Sequence, residues 1–133
     1  MKVFISHSGI DTWVARQIQL SIIDLGVNTF LDDACLAVGD DFEKIILHEL
    51  QTSNELVVLL TPWSLERPYV WLEVGAAWIS DIRIVGIFYG LTLEELSSNI
   101  KNPIFIKKNN LISLNDFDTY LEQLSKRVHH INI

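Results

Sequence analysis

The sequence has little cysteine and few basic residues, and each shortage excludes a class of protein. A single cysteine, Cys35, among 133 residues rules out a disulfide-bonded scaffold and suits a reducing compartment, so we expect a cytoplasmic protein. Ten lysines and arginines against 17 acidic residues give a net charge of −7, which argues against a nucleic-acid partner. No apolar run approaches the roughly 18 residues of a spanning helix, so no membrane partner is expected either.

Apolar residues, by contrast, are abundant and evenly spread along the chain. They make up 49% of it, with a mean hydropathy of +0.26. Such a composition excludes intrinsic disorder and indicates a continuous folded core. The length fits one domain, which we expect to span residues 1–133.

Short apolar runs alternate with longer segments of helical period. The runs predict strands at 3–5, 27–31, 56–60, 84–88 and either 104–106 or 111–112. Helices are predicted at about 12–25, 41–50, 68–80 and 116–128, with a short helix or irregular segment at 91–96. This order predicts a flavodoxin-like three-layer α/β sandwich, with about five parallel strands in the order 2-1-3-4-5 and helices on both faces. Ligands bind such sheets beyond the carboxyl ends of the strands.

Glu73 is the only carboxylate in the apolar helix that Pro68 begins. A carboxylate in such surroundings must be paired, protonated or directed into a cleft, which makes Glu73 a candidate functional residue. Tyr69 lies one turn earlier on the same face. The alternative is an exposed glutamate that is merely stabilised by the nearby helix N-terminus.

Polar residues follow the first two predicted strands. The hydroxyls of Ser6 and Ser8 precede a helix and can receive a phosphate or a sugar, although simple helix capping explains them equally well. Asp11 or Thr12 is expected to cap that helix. Asp32 follows the second strand, where an acidic residue either holds ribose hydroxyls or belongs to a solvated turn.

Several other sites are excluded by missing motifs. The chain contains no Gly-x-Ser-x-Gly, Walker A or Gly-x-Gly-x-x-Gly sequence. His129 and His130 have no further ligands at metal-binding spacing, so no metal is expected. A phosphoacceptor receiver domain needs an aspartate after the third strand, where Thr61 stands instead. A flavodoxin-type phosphate loop fits residues 6–12 only loosely, because Asp11 would repel a phosphate.

Five segments in order carry a family resemblance. They are Val3-Phe4-Ile5-Ser6-His7-Ser8, Leu25-Gly26 with Phe30-Leu31-Asp32, Gly39-Asp40-Asp41-Phe42, Leu60-Thr61-Pro62, and Tyr69-Val70-Trp71-Leu72-Glu73. Together they resemble the motifs of a TIR (Toll/interleukin-1 receptor) domain, from residue 3 to about 128. The last segment occupies the place of the Trp-x-x-x-Glu motif of NAD-cleaving members, with Tyr69 where the family has tryptophan.

The resemblance implies cleavage of the bond between nicotinamide and ribose in NAD⁺, with NAD⁺ as substrate and no cofactor. Glu73 matches the catalytic glutamate. The substrate-binding residues that follow from this alignment and from the first strand end are Ser6, His7, Ser8, Asp32, Phe42 and Tyr69. Stand-alone prokaryotic members of this kind resemble the Thoeris anti-phage proteins, in which a separate effector reads an ADP-ribose product.

Association with other TIR protomers is also implied, through the helix at 68–80 and the loop at 32–39. Charge favours the same expectation: residues 1–60 carry three basic and nine acidic side chains, so an anionic dinucleotide meets little attraction there. We therefore expect a site that a neighbouring protomer completes. The alternative is a non-catalytic TIR scaffold that acts only through TIR–TIR association.

Overall fold

Five parallel strands form one sheet in the order β2-β1-β3-β4-β5, which confirms the predicted topology. The computed structural model describes residues 1–31, 39, 41–99 and 106–131. The strands are β1 Lys2–Ser6, β2 Asn28–Leu31, β3 Glu55–Leu60, β4 Arg83–Phe88 and β5 Leu111–Ser113. The second of the two positions predicted for the last strand therefore forms it, whereas residues 104 and 105 lie outside the described residues.

Five helices connect and follow these strands. They are α1 Thr12–Ile23, α2 Phe42–Gln51, α3 Pro68–Ile79, α4 Leu93–Asn99 and α5 Phe117–Ile131. Pro68 occupies the first turn of α3, where its fixed φ suits a helix and its missing N–H costs no hydrogen bond. The Asp41 carboxylate caps α2 by accepting from the Lys44 amide at 3.2 Å.

Two hydrophobic clusters lie on opposite faces of the sheet. One packs Phe4, Val58 and Leu60 against α2 and α3, and the other packs Ile5 and Val57 against α1 and α5. All six residues of β3 are buried, because this central strand is covered on both faces. The uninterrupted apolar run from Leu56 to Leu60 is the direct consequence.

Helix α3 buries only one of its faces. Val70, Glu73, Val74 and Ala77 point inward, whereas the side chains of Leu72 and Ile79 are 61% and 78% exposed. The apolar sequence predicts burial all round, and the structure differs because no other described element covers the outer side of the helix. None of the helices within the described ranges is long and apolar enough to cross a membrane.

Candidate active site

Ser6 and Glu73 meet at the carboxyl end of β1. Side chains alternate along a strand, so Ser6 shares the face of Phe4, which α3 covers. Ser6 is fully buried, Glu73 is 3% exposed, and the Ser6 hydroxyl donates to Glu73 Oε1 at 3.0 Å. The exposed-glutamate alternative is therefore wrong. The Ser6 hydroxyl is engaged with the carboxylate rather than with a helix N-terminus.

His7 extends the site beyond the end of β1. Its Nδ1 lies 2.7 Å from the Ser8 carbonyl oxygen, and because a carbonyl only accepts, Nδ1 carries the proton in this contact. In the neutral ring Nε2 is then an acceptor. This atom is buried and has no hydrogen-bond partner among the residues the structure describes. The ring thus carries a buried polar atom whose hydrogen bond is not made within the described residues.

Two aromatic rings form the outer part of the site. Tyr69, in the first turn of α3, packs edge-to-face against Phe42, the first residue of α2, with ring centroids 5.7 Å apart. The Tyr69 hydroxyl donates to Glu43 Oε1 at 3.3 Å. Tyr69 is 47% exposed, so one side of the pair is open to solvent. The geometry thus places two predicted site residues in direct contact.

Asp11, which lies between β1 and α1, is a buried aspartate whose contacts sequence reasoning did not predict. Asp11 stands at the N-cap of α1, yet its side chain makes no capping hydrogen bond, so the capping role predicted for it is wrong. Its Oδ2 instead accepts from Ser8 Oγ at 2.6 Å and from Thr61 Oγ1 at 2.8 Å, and its Oδ1 accepts from the Tyr89 hydroxyl. Burial, together with the hydrogen bond to Asp11, raises the pKa of the Tyr89 hydroxyl.

The structure brings most of the predicted site residues to one edge of the sheet. Ser6 contacts Glu73 and Phe42 contacts Tyr69, so each pair includes a residue of α3, whereas His7 contacts the Ser8 carbonyl just beyond β1. The Ser8 hydroxyl is turned into the protein, where it is bound to Asp11. Asp32 and the predicted interface loop from residue 32 to 38 lie outside the described residues.

The polar groups of this site are hydroxyls, an imidazole and carboxylates. Within the parts of the chain that the structure describes, no group of three or more histidine, cysteine or acidic residues is placed to hold a metal ion. The carboxylates of Glu73 and Asp11 are both nearly inaccessible to solvent. Electrostatically, such an edge favours a positively charged group over a phosphate.

Comparison with known proteins gives the family. The family model described as TIR domain matches residues 3–126. A Brachypodium distachyon protein, described as the probable 2' cyclic ADP-D-ribose synthase BdTIR, is 29% identical over 97 residues, which are 71% of this chain. The match spans 43% of the length of that relative.

Solved structures show the same fold. The TIR domain of the Toll-related receptor TRR-2 from Hydra magnipapillata aligns over 98% of both chains, with a TM-score of 0.68 and 18% identity. The TIR domains of the activated Roq1 resistosome, which recognises the pathogen effector XopQ, align over 94% of this chain and 81% of theirs. Their TM-score is 0.62, again at 18% identity. With a family model covering nearly its whole length and this fold, the chain belongs to the TIR domain family.

Proposed function

We propose that this TIR domain cleaves the bond between nicotinamide and ribose in NAD⁺, with Glu73 as the catalytic residue. The observation that carries the proposal is the Glu73 carboxylate, held at the ligand-binding edge of the sheet by the Ser6 hydroxyl and almost wholly shielded from water. The curated relative from Brachypodium, described as a cyclic ADP-ribose synthase, supports the same chemistry.

The chemistry follows from the charge of the carboxylate. As the C–N bond lengthens, the ribose acquires oxocarbenium character, and a nearby carboxylate stabilises this positive charge. Nicotinamide departs as a neutral base, so no general acid is needed at the leaving group. In hydrolysis, water adds to the ribose carbon and one proton is released with ADP-ribose; a nucleophile within the dinucleotide gives a cyclic isomer instead.

Binding of NAD⁺ is assigned to the residues around this carboxylate. The Phe42–Tyr69 ring pair provides an apolar surface for a flat ring, and Tyr69 serves there in place of the tryptophan of the family motif. His7 is included because it directly follows Ser6 and its Nε2 makes no hydrogen bond within the described residues. Ser8 acts indirectly, because its hydrogen bond to Asp11 holds the loop after β1 in place. The remaining binding interaction is the predicted contact of Asp32 with ribose.

The biological role we assign to this activity is signalling in bacterial or archaeal anti-phage defence. The product, an ADP-ribose or a cyclic or conjugated form of it, is read by a separate effector. Activation takes place in assemblies of TIR protomers. The exposed apolar side chains of α3, among them Leu72 and Ile79, supply a surface for such association.

The same surface favours a second candidate function. An exposed apolar helix face is also what a non-catalytic TIR scaffold would need in order to recruit other TIR domains. A scaffold, however, gives no role to a carboxylate buried at the ligand-binding edge. The two functions therefore differ in what they require of Glu73.

The deciding experiment is NAD⁺ turnover by the purified chain, at high protein concentration and in a crowding agent. Wild type is compared with Glu73→Gln, which keeps the size of the side chain but replaces one acceptor oxygen by an amide donor and removes the charge. Glu66→Gln, at an exposed position just before α3, is the matched control. Nicotinamide and the ADP-ribose product are quantified by mass spectrometry.

We expect wild type and Glu66→Gln to release nicotinamide at the same rate, and Glu73→Gln to lose about 100-fold or more. Equal turnover in all three proteins would remove Glu73 from the mechanism. No turnover in any of them, together with concentration-dependent assembly, would establish the scaffold function instead.

A further inference from the structure

The Asp11 carboxylate has unusual hydrogen-bond partners for a residue at the N-cap of a helix. An aspartate at the N-cap ordinarily accepts from the backbone amides of the first helical turn, which stabilises the helix. Asp11 makes no such bond and turns inward, where it is 2% exposed. A carboxylate in this position is tolerated only when hydrogen bonds replace its lost hydration. The fold therefore uses Asp11 for something other than helix capping.

Its three partners come from three different strand ends. Ser8 lies two residues beyond β1, Thr61 directly follows β3, and Tyr89 directly follows β4. These are the carboxyl ends of neighbouring or central strands, which form the edge where Ser6 meets Glu73. The carboxylate thus joins the loop after β1 to the ends of β3 and β4, the next two strands on one side of β1.

All three partners are neutral hydroxyls that donate to the carboxylate. Hydrogen bonds to an ionised acceptor are stronger than those between neutral groups. Thr61 is itself fixed, because its Oγ1 accepts from the Ser64 amide at 3.1 Å while the Thr61 amide donates to Ser64 Oγ at 2.9 Å. Asp11 therefore binds a threonine that is itself held in place at the end of β3.

We propose that Asp11 is a positioning residue for the Ser6–Glu73 site. By holding the loop after β1 against the ends of β3 and β4, it fixes the Ser6 hydroxyl on the Glu73 carboxylate. The inference rests on the proposed NAD⁺-cleaving function. Asp11 acts through Ser8, which lies two residues beyond Ser6 at the end of β1.

The first test is Asp11→Asn, which keeps the shape of the side chain but replaces one acceptor oxygen by a donor and removes the charge. Asp24→Asn, an exposed position at the other end of α1, is the matched control. We expect Asp11→Asn to lower kcat by about 10- to 100-fold, with KM within about threefold of wild type, because a misplaced catalytic group affects chemistry more than binding. Hydrogen–deuterium exchange of residues 6–12 should become faster only in Asp11→Asn.

A double-mutant cycle with Ser6→Ala separates positioning from general stability. If Asp11 acts by orienting Ser6, Asp11→Asn should reduce kcat far less in the Ser6→Ala background than in wild type. Equal losses in the two backgrounds would overturn the proposal, as would wild-type kcat in Asp11→Asn. If Asp11→Asn does not fold, Tyr89→Phe removes one of the three donors and should lower kcat about threefold or more.

The exchange measurement keeps this inference distinct from the proposed function. If wild type cleaves no NAD⁺, the proposed activity fails, whereas faster exchange of residues 6–12 in Asp11→Asn still shows that the carboxylate holds the loop. Unchanged exchange in that variant would show that it does not, whatever the activity.

Discussion

At the scale of single residues, the hydrogen bond from Ser6 to Glu73 joins two buried side chains 67 positions apart in the chain. A hydroxyl that donates to a carboxylate fixes the orientation of the carboxyl plane, and it does so more strongly away from water. Under the NAD⁺-cleaving function that we propose, this hydrogen bond orients Glu73 toward the charge developing on the ribose. Ser6 was predicted to bind substrate, and its contact with Glu73 leads us to expect an effect on kcat as well.

Ser6→Ala should lower kcat for NAD⁺ cleavage by about 10- to 100-fold, because a hydrogen bond to a charged group is worth about 1.5–3 kcal/mol. Steady-state release of nicotinamide measures the effect. Ser21→Ala is the control, since its hydroxyl bonds only to the Gln17 carbonyl along α1. A Ser6→Ala protein with wild-type kcat would show that the hydroxyl has no part in catalysis.

At the scale of secondary-structure elements, α5 is attached to the sheet by a buried ion pair. Arg127 donates through Nε and Nη2 to the two carboxylate oxygens of Glu55, at 2.7 and 2.8 Å, at the start of β3. The Tyr120 ring lies 5.8 Å beneath the guanidinium, and its hydroxyl donates to the same carboxylate. Glu55 is as thoroughly buried as Glu73, and Arg127 is the cation that contacts its carboxylate.

Arg127→Ala should lower the free energy of unfolding by about 2–4 kcal/mol, because it leaves a buried carboxylate without its cation. Chemical denaturation followed by circular dichroism measures the change. Lys44→Ala, which removes a solvent-exposed pair with Asp41, should leave the unfolding midpoint almost unchanged. Equal losses in the two variants would mean that burial of Glu55 does not govern the strength of its ion pair.

At the scale of the whole molecule, two tyrosines, Tyr120 buried and Tyr89 partly buried, couple stability to alkaline pH. Burial raises the pKa of Tyr120, reinforced by the charge of Glu55, and burial together with Asp11 raises that of Tyr89. Both phenols thus stay protonated in the folded protein at pH values where the unfolded chain ionises them. Unfolding then releases protons, so the stability due to this protonation is complete below pH 10 and declines above it.

We expect the denaturation midpoint to fall steadily as pH rises from 10 to 12, and Tyr120→Phe to fall less steeply over that interval. Tyrosinate absorbance near 295 nm provides an independent measure. At pH 11 the folded chain, which has three tyrosines, should absorb less than the denatured chain. Identical absorbance in the two states would contradict the burial of these phenols.

Local patterns in the sequence were sufficient to predict the elements and their order. The apolar run of β3 indicated burial on both faces, and Pro68 indicated the start of α3. Both signals can be read from residues that are neighbours in the sequence. Glu73 was recognisable as a lone carboxylate in an apolar helix. The strand order followed from the alternation of strands and helices, and the family from the resemblance of five segments; the sheet topology and the family model confirm them.

Only the tertiary structure decided which distant side chains meet. Asp11 and Tyr89 are 78 positions apart, and no periodicity links an N-cap aspartate to a tyrosine after β4. The exposed face of α3 was equally invisible, because an apolar helix shows what it can bury but not which side a neighbour covers. The sequence by itself determined the TIR sheet and the candidate Glu73; chain folding, by bringing three strand ends to one edge, decided what holds that carboxylate in place.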